Sequence, residues 1–213
     1  MSSPAVPPPP APFDPLTEEW PAGRPLVRVD RLDRLSVSFN STSSSGRFRP
    51  IRDASDAVVS TMYAADGFDG ALSETVFHDL PVTAEPKHLA RSLLVSRGFA
   101  RLRCTRPLRL VQLRGHGLRR LGATHGQLIE TGAQSYAATA AWGQAAYDHP
   151  DGFDGLMWIS RQFPGGLAVM LFGDRCADAL EPLDEPPLPL AHGRGFELVC
   201  GAANEARVII AEA

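Results

Sequence analysis

The sequence contains very little lysine and cysteine. Lys87 is the single lysine, so 20 of the 21 basic residues are arginine and no arginine stands out by its type alone. The three cysteines, Cys104, Cys176 and Cys200, are widely separated and form no CxxC pair. An odd number of isolated cysteines argues against a disulfide framework and against a zinc site. We therefore expect no bound metal, and thiols that stay reduced.

The sequence also lacks an excess of positive charge and any long apolar run. Its formal net charge is −3, which gives no reason to expect direct nucleic-acid binding. No run of 18 apolar residues occurs, so no membrane-spanning helix is predicted. Residues 1–12 have neither the basic start nor the apolar centre of a secretory signal. Together these absences predict a cytoplasmic protein.

Several motifs of well-known catalytic sites are missing. There is no GxxxxGK(S/T) phosphate loop, no GxGxxG after a predicted strand and no GxSxG nucleophile elbow. The six histidines show neither HxH nor HExxH spacing. The sequence therefore does not indicate a P-loop enzyme, a Rossmann-type dehydrogenase or a zinc protease, and we expect no resident cofactor.

The chain divides into a proline-rich head and one larger domain. Residues 7–10 are consecutive prolines, which fit neither a helix interior nor a central strand. We predict a flexible tail over residues 1–20 and a single domain over residues 21–213. Early helices and late strands predict an α+β fold, with a mixed or antiparallel sheet and flanking helices. Periodicity predicts strands at 26–29, 58–63, 99–103, 108–113, 155–159, 167–172, 196–200 and 207–211, and helices at 71–80, 88–96 and 135–147.

Between Gly46 and Glu74 the sequence combines residue types that suit a dinucleotide glycoside. Arginines follow Gly46, and a guanidinium group offers a planar fork for phosphate oxygens. Tyr63, at the end of a predicted strand, offers an aromatic face and a hydroxyl group. Glu74, in the first turn of a predicted helix, could stabilise an oxocarbenium-like ribose. Because nicotinamide leaves as a neutral base, one carboxylate could suffice to cleave NAD.

The order of these segments resembles the RES domain, a family named for its Arg, Glu and Ser. The similarity lies in GRFRP (46–50), TMYAADGFDGALSETVFHD (61–79) and DGLMWISRQFPGGLAVMLF (154–172), with LVRV (26–29) upstream. It extends over roughly residues 24–175. The proline-rich head and the tail from about residue 176 lie outside the pattern, and MWIS replaces the PS-type ending common in the family.

The resemblance implies an ADP-ribosyltransferase-like fold and an NAD-degrading enzyme, with residues 21–213 as a single catalytic domain. Many members are toxins of RES–Xre toxin–antitoxin pairs. The implied reaction is phosphorolysis, in which inorganic phosphate attacks NAD and releases nicotinamide and ADP-ribose 1-phosphate. NAD is then a substrate, phosphate a co-substrate, and an Xre-type helix-turn-helix antitoxin the expected partner. A homodimer is also compatible with the sequence.

The resemblance also implies three catalytic residues. Glu74 matches the motif glutamate, which stabilises the transition state. Arg47 matches the first motif arginine, which clamps phosphates, although the neighbouring Arg49 and Arg52 compete for that role. Ser160 matches the motif serine, which orients the ribose or nicotinamide side of the substrate.

Three further residues are implied in substrate binding. Arg28 matches the arginine of the opening strand and would bind phosphates. Tyr63 matches the motif tyrosine and would pack on nicotinamide or its ribose. Arg161, next to the motif serine, would hold the attacking phosphate.

Three alternatives to phosphorolysis stay open at the level of sequence. Water in place of phosphate would make the protein an NAD glycohydrolase. A macromolecular acceptor would make it an ADP-ribosyltransferase. A domain without activity that only binds a partner would use the same fold.

Overall fold

The computed structural model describes residues 5–42, 44, 46–81 and 83–212; residues 1–4 of the predicted tail and residue 213 lie outside them. The strands are β1 (Thr17–Trp20), β2 (Pro25–Arg31), β3 (Thr61–Ala65), β4 (Lys87–Ala90), β5 (Arg97–Cys104), β6 (Leu108–Gln112), β7 (Gly155–Ile159), β8 (Leu167–Phe172), β9 (Leu180–Pro182), β10 (Leu188–Pro189) and β11 (Val208–Ala211). The α-helices are α1 (Phe68–Ser73), α2 (Ser92–Val95), α3 (Gly115–Arg120), α4 (His125–Leu128), α5 (Tyr136–Tyr147), α6 (Gly173–Cys176) and α7 (Gly193–Glu205).

One large mixed sheet organises the fold. Its strand order is β1-β6-β7-β8-β3-β2-β5-β10, with β9 also paired to β5. Strands β6 and β7 are parallel, whereas the other pairs in this sheet are antiparallel. Strands β4 and β11 form a separate parallel pair. The α+β prediction with a mixed sheet is confirmed, and the architecture is consistent with an ADP-ribosyltransferase-like fold.

The central strands β7 and β8 are apolar along their whole length because helices and loops cover both faces of the sheet. Their sequences, GLMWI and LAVMLF, are buried at almost every position. Trp158, Met170 and Phe172 face a core with Trp142 of α5, and Met157, Val169 and Leu171 face a core with Trp20. A strand buried on both faces loses the polar alternation of a half-exposed strand.

The sheet opens between β2 and β3. These two strands are paired at a single position, Val27 with Ala65. In contrast, β2 pairs with β5 over seven positions and β3 pairs with β8 over five. The two halves of the sheet therefore diverge beyond Val27 and Ala65, and α1 packs beside this opening against both strands.

Two predicted helices and one predicted strand were wrong. Helix 71–80 is instead α1, which ends at Ser73, so Glu74 is its C-terminal cap rather than a first-turn residue. The Leu72 carbonyl accepts from the backbone N–H groups of Thr75, Val76 and Phe77, so the regular α-helical pattern of one bond per carbonyl ends there. Residues 88–96 form the end of β4 and α2, because β4 pairs with the distant β11. Residues 196–200 belong to α7, where a short apolar run is one side of an amphipathic helix.

The proline-rich head contacts the domain closely. Val6 and Phe13 pack against the core around Trp142, and the indole Nε1 of Trp142 donates to the carbonyl of Pro7 at 2.8 Å. Thr17–Trp20 forms β1 and pairs with β6. The division at residue 20 stays a prediction. Among the described residues, no helix is long and apolar enough to cross a membrane.

Candidate functional site

A cavity of about 390 Å³ lies at the opening between β2 and β3. Residues 27–30 of β2 and 61–65 of β3 line it, together with Ala71 of α1 and with Glu74 and His78, which follow that helix. A cavity of this size falls in the range typical of small-molecule sites. The opening in the sheet thus brings strand and helix residues distant in sequence to one pocket.

A tight turn presents Arg47 to this cavity. The backbone groups of Gly46 and Arg49 exchange hydrogen bonds of 3.2 and 3.1 Å. Phe48 has a positive φ of 67°, which is unfavourable for a bulky side chain. Its fully buried ring packs edge-on against Trp158 at 5.2 Å, and this packing offsets the backbone strain. A Cβ atom at Gly143 of α5 would lie 2.1 Å from the Phe48 carbonyl oxygen, so the helix supports the turn by backbone contact.

Arg47 is held by two backbone carbonyls and one hydroxyl oxygen beside the cavity. Its guanidinium donates to the Leu128 carbonyl at 2.8 Å, to Thr131 Oγ1 at 3.0 Å and to the Thr131 carbonyl at 2.9 Å. Burial lowers the pKa of Arg47, and the neighbouring Tyr136 and Glu74 act in the opposite direction. The guanidinium is therefore a fixed positive group near Glu74.

The carboxylate of Glu74 is fixed through one oxygen. Oε1 accepts from Ser160 Oγ at 2.6 Å, from the Arg161 backbone N–H at 2.8 Å and from the Gln162 backbone N–H at 3.2 Å. Oε2 has no hydrogen-bond partner among the described residues, and Glu74 lines the cavity. Three donors at one oxygen leave the other available to a ligand.

Ser160 contacts Glu74 rather than the cavity. It follows β7, is fully buried and is absent from the cavity lining. Its hydroxyl donates to Glu74 and accepts from the Phe163 backbone N–H at 2.9 Å. Ser160 and Glu74, which are 86 positions apart, are thereby hydrogen-bonded to each other. The serine hydroxyl points to the carboxylate and not into the cavity.

Two aromatic side chains form the floor of the cavity. The Tyr63 hydroxyl donates to the Arg47 carbonyl, and its ring lies edge-on to Trp158 at 6.3 Å between centroids. Although 36% of Tyr63 is exposed, that surface lies inside the cavity. Burial raises the pKa of Tyr63 above its ordinary value. The Tyr63 ring, packed edge-on against the nearly buried Trp158, therefore offers an apolar surface with one anchored hydroxyl.

The arginines that competed with Arg47 are separated by the structure. Arg49 lines the cavity, is nearly buried and donates to the Thr42 carbonyl at 2.6 Å. Arg52 is exposed, donates to the Asp56 carbonyl at 2.7 Å and does not line the cavity. The structure thus places Arg47 and Arg49, but not Arg52, at the pocket.

Arg28 and Arg161 reach the site in different ways. The buried guanidinium of Arg28 lines the cavity, pairs with Asp30 and donates to the Ser38 carbonyl at 2.7 Å. Burial is the main cause that lowers the pKa of Arg28, and Asp30 opposes it. Arg161 does not line the cavity; its backbone holds Glu74, and its side chain lies 3.4 Å from the Thr131 carbonyl.

Trp158, His78 and Arg97 are among the pocket residues that were not identified from the sequence. Trp158 lies two positions before Ser160, and as the aromatic residue of a strand in the serine segment it could have been noticed. His78 lines the pocket four residues after Glu74. Arg97 lines it from β5, and nothing in its sequence context distinguishes it from the other arginines.

A family model of the RES domain matches residues 25–191. The chain belongs to the RES domain family. The fold is also similar to a chain in the crystal structure of the M. tuberculosis MbcT-MbcA toxin-antitoxin complex, with a TM-score of 0.54, 15% identity and coverage of 79% of this chain and 84% of that chain. At this identity the likeness concerns the fold. No curated protein matches the sequence.

The RES match contains all of the cavity. It begins at β2 and ends just before α7, so Arg28, Glu74 and Ser160 lie within it. The head that packs on Trp142, and α7 with β11, lie outside it. The RES domain of this chain thus carries two additional segments that do not line the pocket.

Proposed function

We propose that this RES domain cleaves the N-glycosidic bond of NAD by phosphorolysis, which yields nicotinamide and ADP-ribose 1-phosphate. The observation that carries the proposal is the Glu74 carboxylate, fixed through Oε1 by three donors while Oε2 is left without a partner among the described residues of the cavity. A preorganised carboxylate suits the stabilisation of a developing oxocarbenium ion. Membership of the RES family supports NAD as the substrate.

In this mechanism, the ribose of NAD lies against Glu74. As the bond between the anomeric carbon and the pyridinium nitrogen breaks, its electron pair passes to that nitrogen and neutral nicotinamide leaves. Glu74 Oε2 stabilises the positive charge that develops on the ribose. Tyr63 and Trp158 offer the apolar surface against which nicotinamide packs.

The second half of the reaction forms the new bond. An oxygen of inorganic phosphate supplies an electron pair to the anomeric carbon and gives ADP-ribose 1-phosphate, so no further proton acceptor is needed. Arg47 lies near Glu74 as a positive group for the anion, whereas Arg161, which does not line the cavity, contributes its backbone N–H to Glu74. NAD and phosphate are both substrates, and the proposal requires no cofactor.

Substitution of Glu74 by Gln tests this function directly. The variant keeps the shape and an oxygen acceptor for Ser160 but removes the charge, so we expect NAD turnover to fall by about 100-fold or more. Glu197→Gln, in α7 outside the RES match, is the matched control and should retain full turnover. Nicotinamide release is measured by chromatography. Wild-type turnover in the Glu74 variant would rule out the mechanism.

Product analysis identifies the acceptor. Phosphorolysis predicts turnover that depends on phosphate and yields ADP-ribose 1-phosphate. Turnover without phosphate that yields ADP-ribose would instead make the protein a glycohydrolase. Label transferred from NAD to protein or nucleic acid would make it an ADP-ribosyltransferase. No loss of NAD under any condition would leave a partner-binding domain.

We further propose an antitoxin partner of the Xre helix-turn-helix type. The support is the fold likeness to a chain of the MbcT-MbcA toxin-antitoxin complex. Expression of this chain alone should arrest growth, and co-expression with a small helix-turn-helix protein encoded beside it should relieve the arrest. Light scattering of the purified chain tests whether it forms a homodimer.

A further inference from the structure

A second group of arginines lines the cavity where β2 meets β5. Arg28 and Arg34 flank the carboxylate of Asp30 and both contact it. Arg97 lies across the strand pair, with its Cα in register with that of Arg31. All except Arg31 line the cavity. Neither Arg34 nor Arg97 takes part in the mechanism above.

Arg97 differs from the other arginines of the cavity in its hydrogen bonds. Arg28, Arg47 and Arg49 each donate to oxygens of the protein. The half-buried side chain of Arg97 makes no hydrogen bond or ion pair with any residue that the structure describes. Because no described protein oxygen accepts from its donors, the Arg97 guanidinium is available to an anionic ligand in the cavity.

The charge of this group favours an anion. Five arginines line the cavity against two carboxylates, those of Asp30 and Glu74, which leaves an excess of three formal positive charges among the lining residues. Asp30 Oδ2 is already shared between Arg28 and Arg34, with the Arg34 contact at 3.4 Å. Arg97 is therefore not neutralised by this carboxylate. Planar guanidinium groups bind phosphate oxygens well in such partly desolvated sites.

We propose that Arg97, assisted by Arg34, binds a phosphoryl group of the substrate. This inference rests on the proposed function and adds a second anion subsite to it. The phosphoryl group can come from the pyrophosphate of NAD or from the attacking phosphate. The reacting carbon must lie at Glu74, whose charge acts on Arg47. The attacking phosphate is needed beside that carbon, where Arg47 already offers a positive charge, so the pyrophosphate is the favoured occupant of the subsite at Arg97.

The test compares Arg97→Gln with Arg103→Gln. Both residues lie on β5, but Arg103 is exposed, pairs with Glu181 and does not line the cavity. Loss of a charge-assisted contact should raise KM for NAD about tenfold or more in Arg97→Gln, with kcat within about twofold of wild type. Arg97→Lys, which keeps the charge without the fork, should show a smaller rise. Arg103→Gln should match the wild type.

The Michaelis constant for phosphate distinguishes the two sources. A rise confined to NAD assigns Arg97 to the pyrophosphate, and a rise confined to inorganic phosphate assigns it to the attacking anion. Either outcome supports the subsite. Unchanged constants for both substrates in Arg97→Gln, with the same unfolding midpoint as the control, would overturn it.

Calorimetric titration separates this inference from the proposed function. The probes are ADP-ribose and inorganic phosphate, and neither measurement needs turnover. Weaker binding of a probe by Arg97→Gln supports the subsite even if wild type does not consume NAD, in which case only the proposed function fails. If the wild type consumes NAD but its affinity for both probes equals that of Arg97→Gln, the subsite alone is overturned. A wild type that neither consumes NAD nor binds either probe overturns both.

Discussion

At the residue scale, the two oxygens of the Glu74 carboxylate have different surroundings. Three donors fix Oε1, two of them backbone N–H groups that follow Ser160. The segment after β7 therefore fixes the carboxylate with two backbone N–H donors, and the Ser160 hydroxyl is the third donor. Because Ser160 does not line the cavity, we infer that it positions Glu74 rather than touching NAD.

Replacement of Ser160 by Ala tests this positioning role. Glu74 would lose one support, so kcat should fall about 10- to 100-fold while KM for NAD changes little. The Phe163 N–H would also lose its acceptor, which should lower the free energy of unfolding by about 1–3 kcal/mol. Initial rates and urea unfolding provide the two measurements. Ser96→Ala, at an exposed position, is the control, and a rise in KM with unchanged kcat would instead indicate direct contact with NAD.

At the element scale, α5 supports the site through a glycine. The Gly46–Arg49 turn lies between α5 and Trp158, and Gly143 lets the helix approach the Phe48 carbonyl. Trp142, also on α5, donates a hydrogen bond to the Pro7 carbonyl of the proline-rich head. The helix thus links the turn that presents Arg47 to a segment outside the RES match.

Substitution of Gly143 by Ala should separate the helix from this turn. The added methyl group would lie 2.1 Å from the Phe48 carbonyl oxygen, so backbone must move. We expect a loss of about 1–3 kcal/mol in the free energy of unfolding and reduced NAD turnover. Gly201→Ala in α7 is the matched control, because a Cβ there meets no atom within 4 Å. That control should be neutral or more stable by up to about 1 kcal/mol, and equal effects of both changes would contradict this account.

The sequence predicted those strands and helices whose burial shows as a pattern of apolar residues within the element itself. The strands at 155–159 and 167–172 are continuous apolar runs, and their predicted bounds agree with β7 and β8. Helix α5 was recognised from its alanine-rich sequence within one residue. In contrast, β4 depends on pairing with β11, more than 100 residues later, and residues 88–96 carry no local sign of that partner.

The same limit applies to the candidate site. From the order of the motifs we expected Arg47, Tyr63, Glu74 and Ser160 to lie in one region. In the structure these four residues lie at or beside the cavity. The sequence could not show that Ser160 points at Glu74, since this contact depends on how the chain turns after β7. Nor could it separate Arg49 from Arg52, or single out Arg97, because only the opening of the sheet decides which arginines face the cavity.

At the scale of the whole molecule, β7 and β8 separate two of the three hydrophobic clusters found among the described residues, and two thiols lie in the cluster that also contains Trp20. Cys104 and Cys176 are almost completely buried there. Burial raises the pKa of the Cys104 thiol to about 11 from its ordinary value of 9.0, and burial also raises that of Cys176. Cys176 Sγ donates to the Phe172 carbonyl at 2.9 Å, a bond that requires its proton. Cys200 is exposed on α7.

These thiols predict a loss of stability at alkaline pH. Below about pH 9 both the folded and the unfolded chain keep their thiol protons, so stability there does not depend on the two groups. Between about pH 9 and 11 the unfolded chain loses protons that the folded chain retains. The free energy of unfolding should then fall by up to about 1.4 kcal/mol per pH unit for each buried thiol. Urea unfolding at a series of pH values measures this slope. Cys104→Ala and Cys176→Ala should each make the slope shallower, whatever their effect on stability at pH 7, whereas Cys200→Ala should leave it unchanged. A slope equal in all three variants would show that the buried thiols do not govern the alkaline stability of the fold.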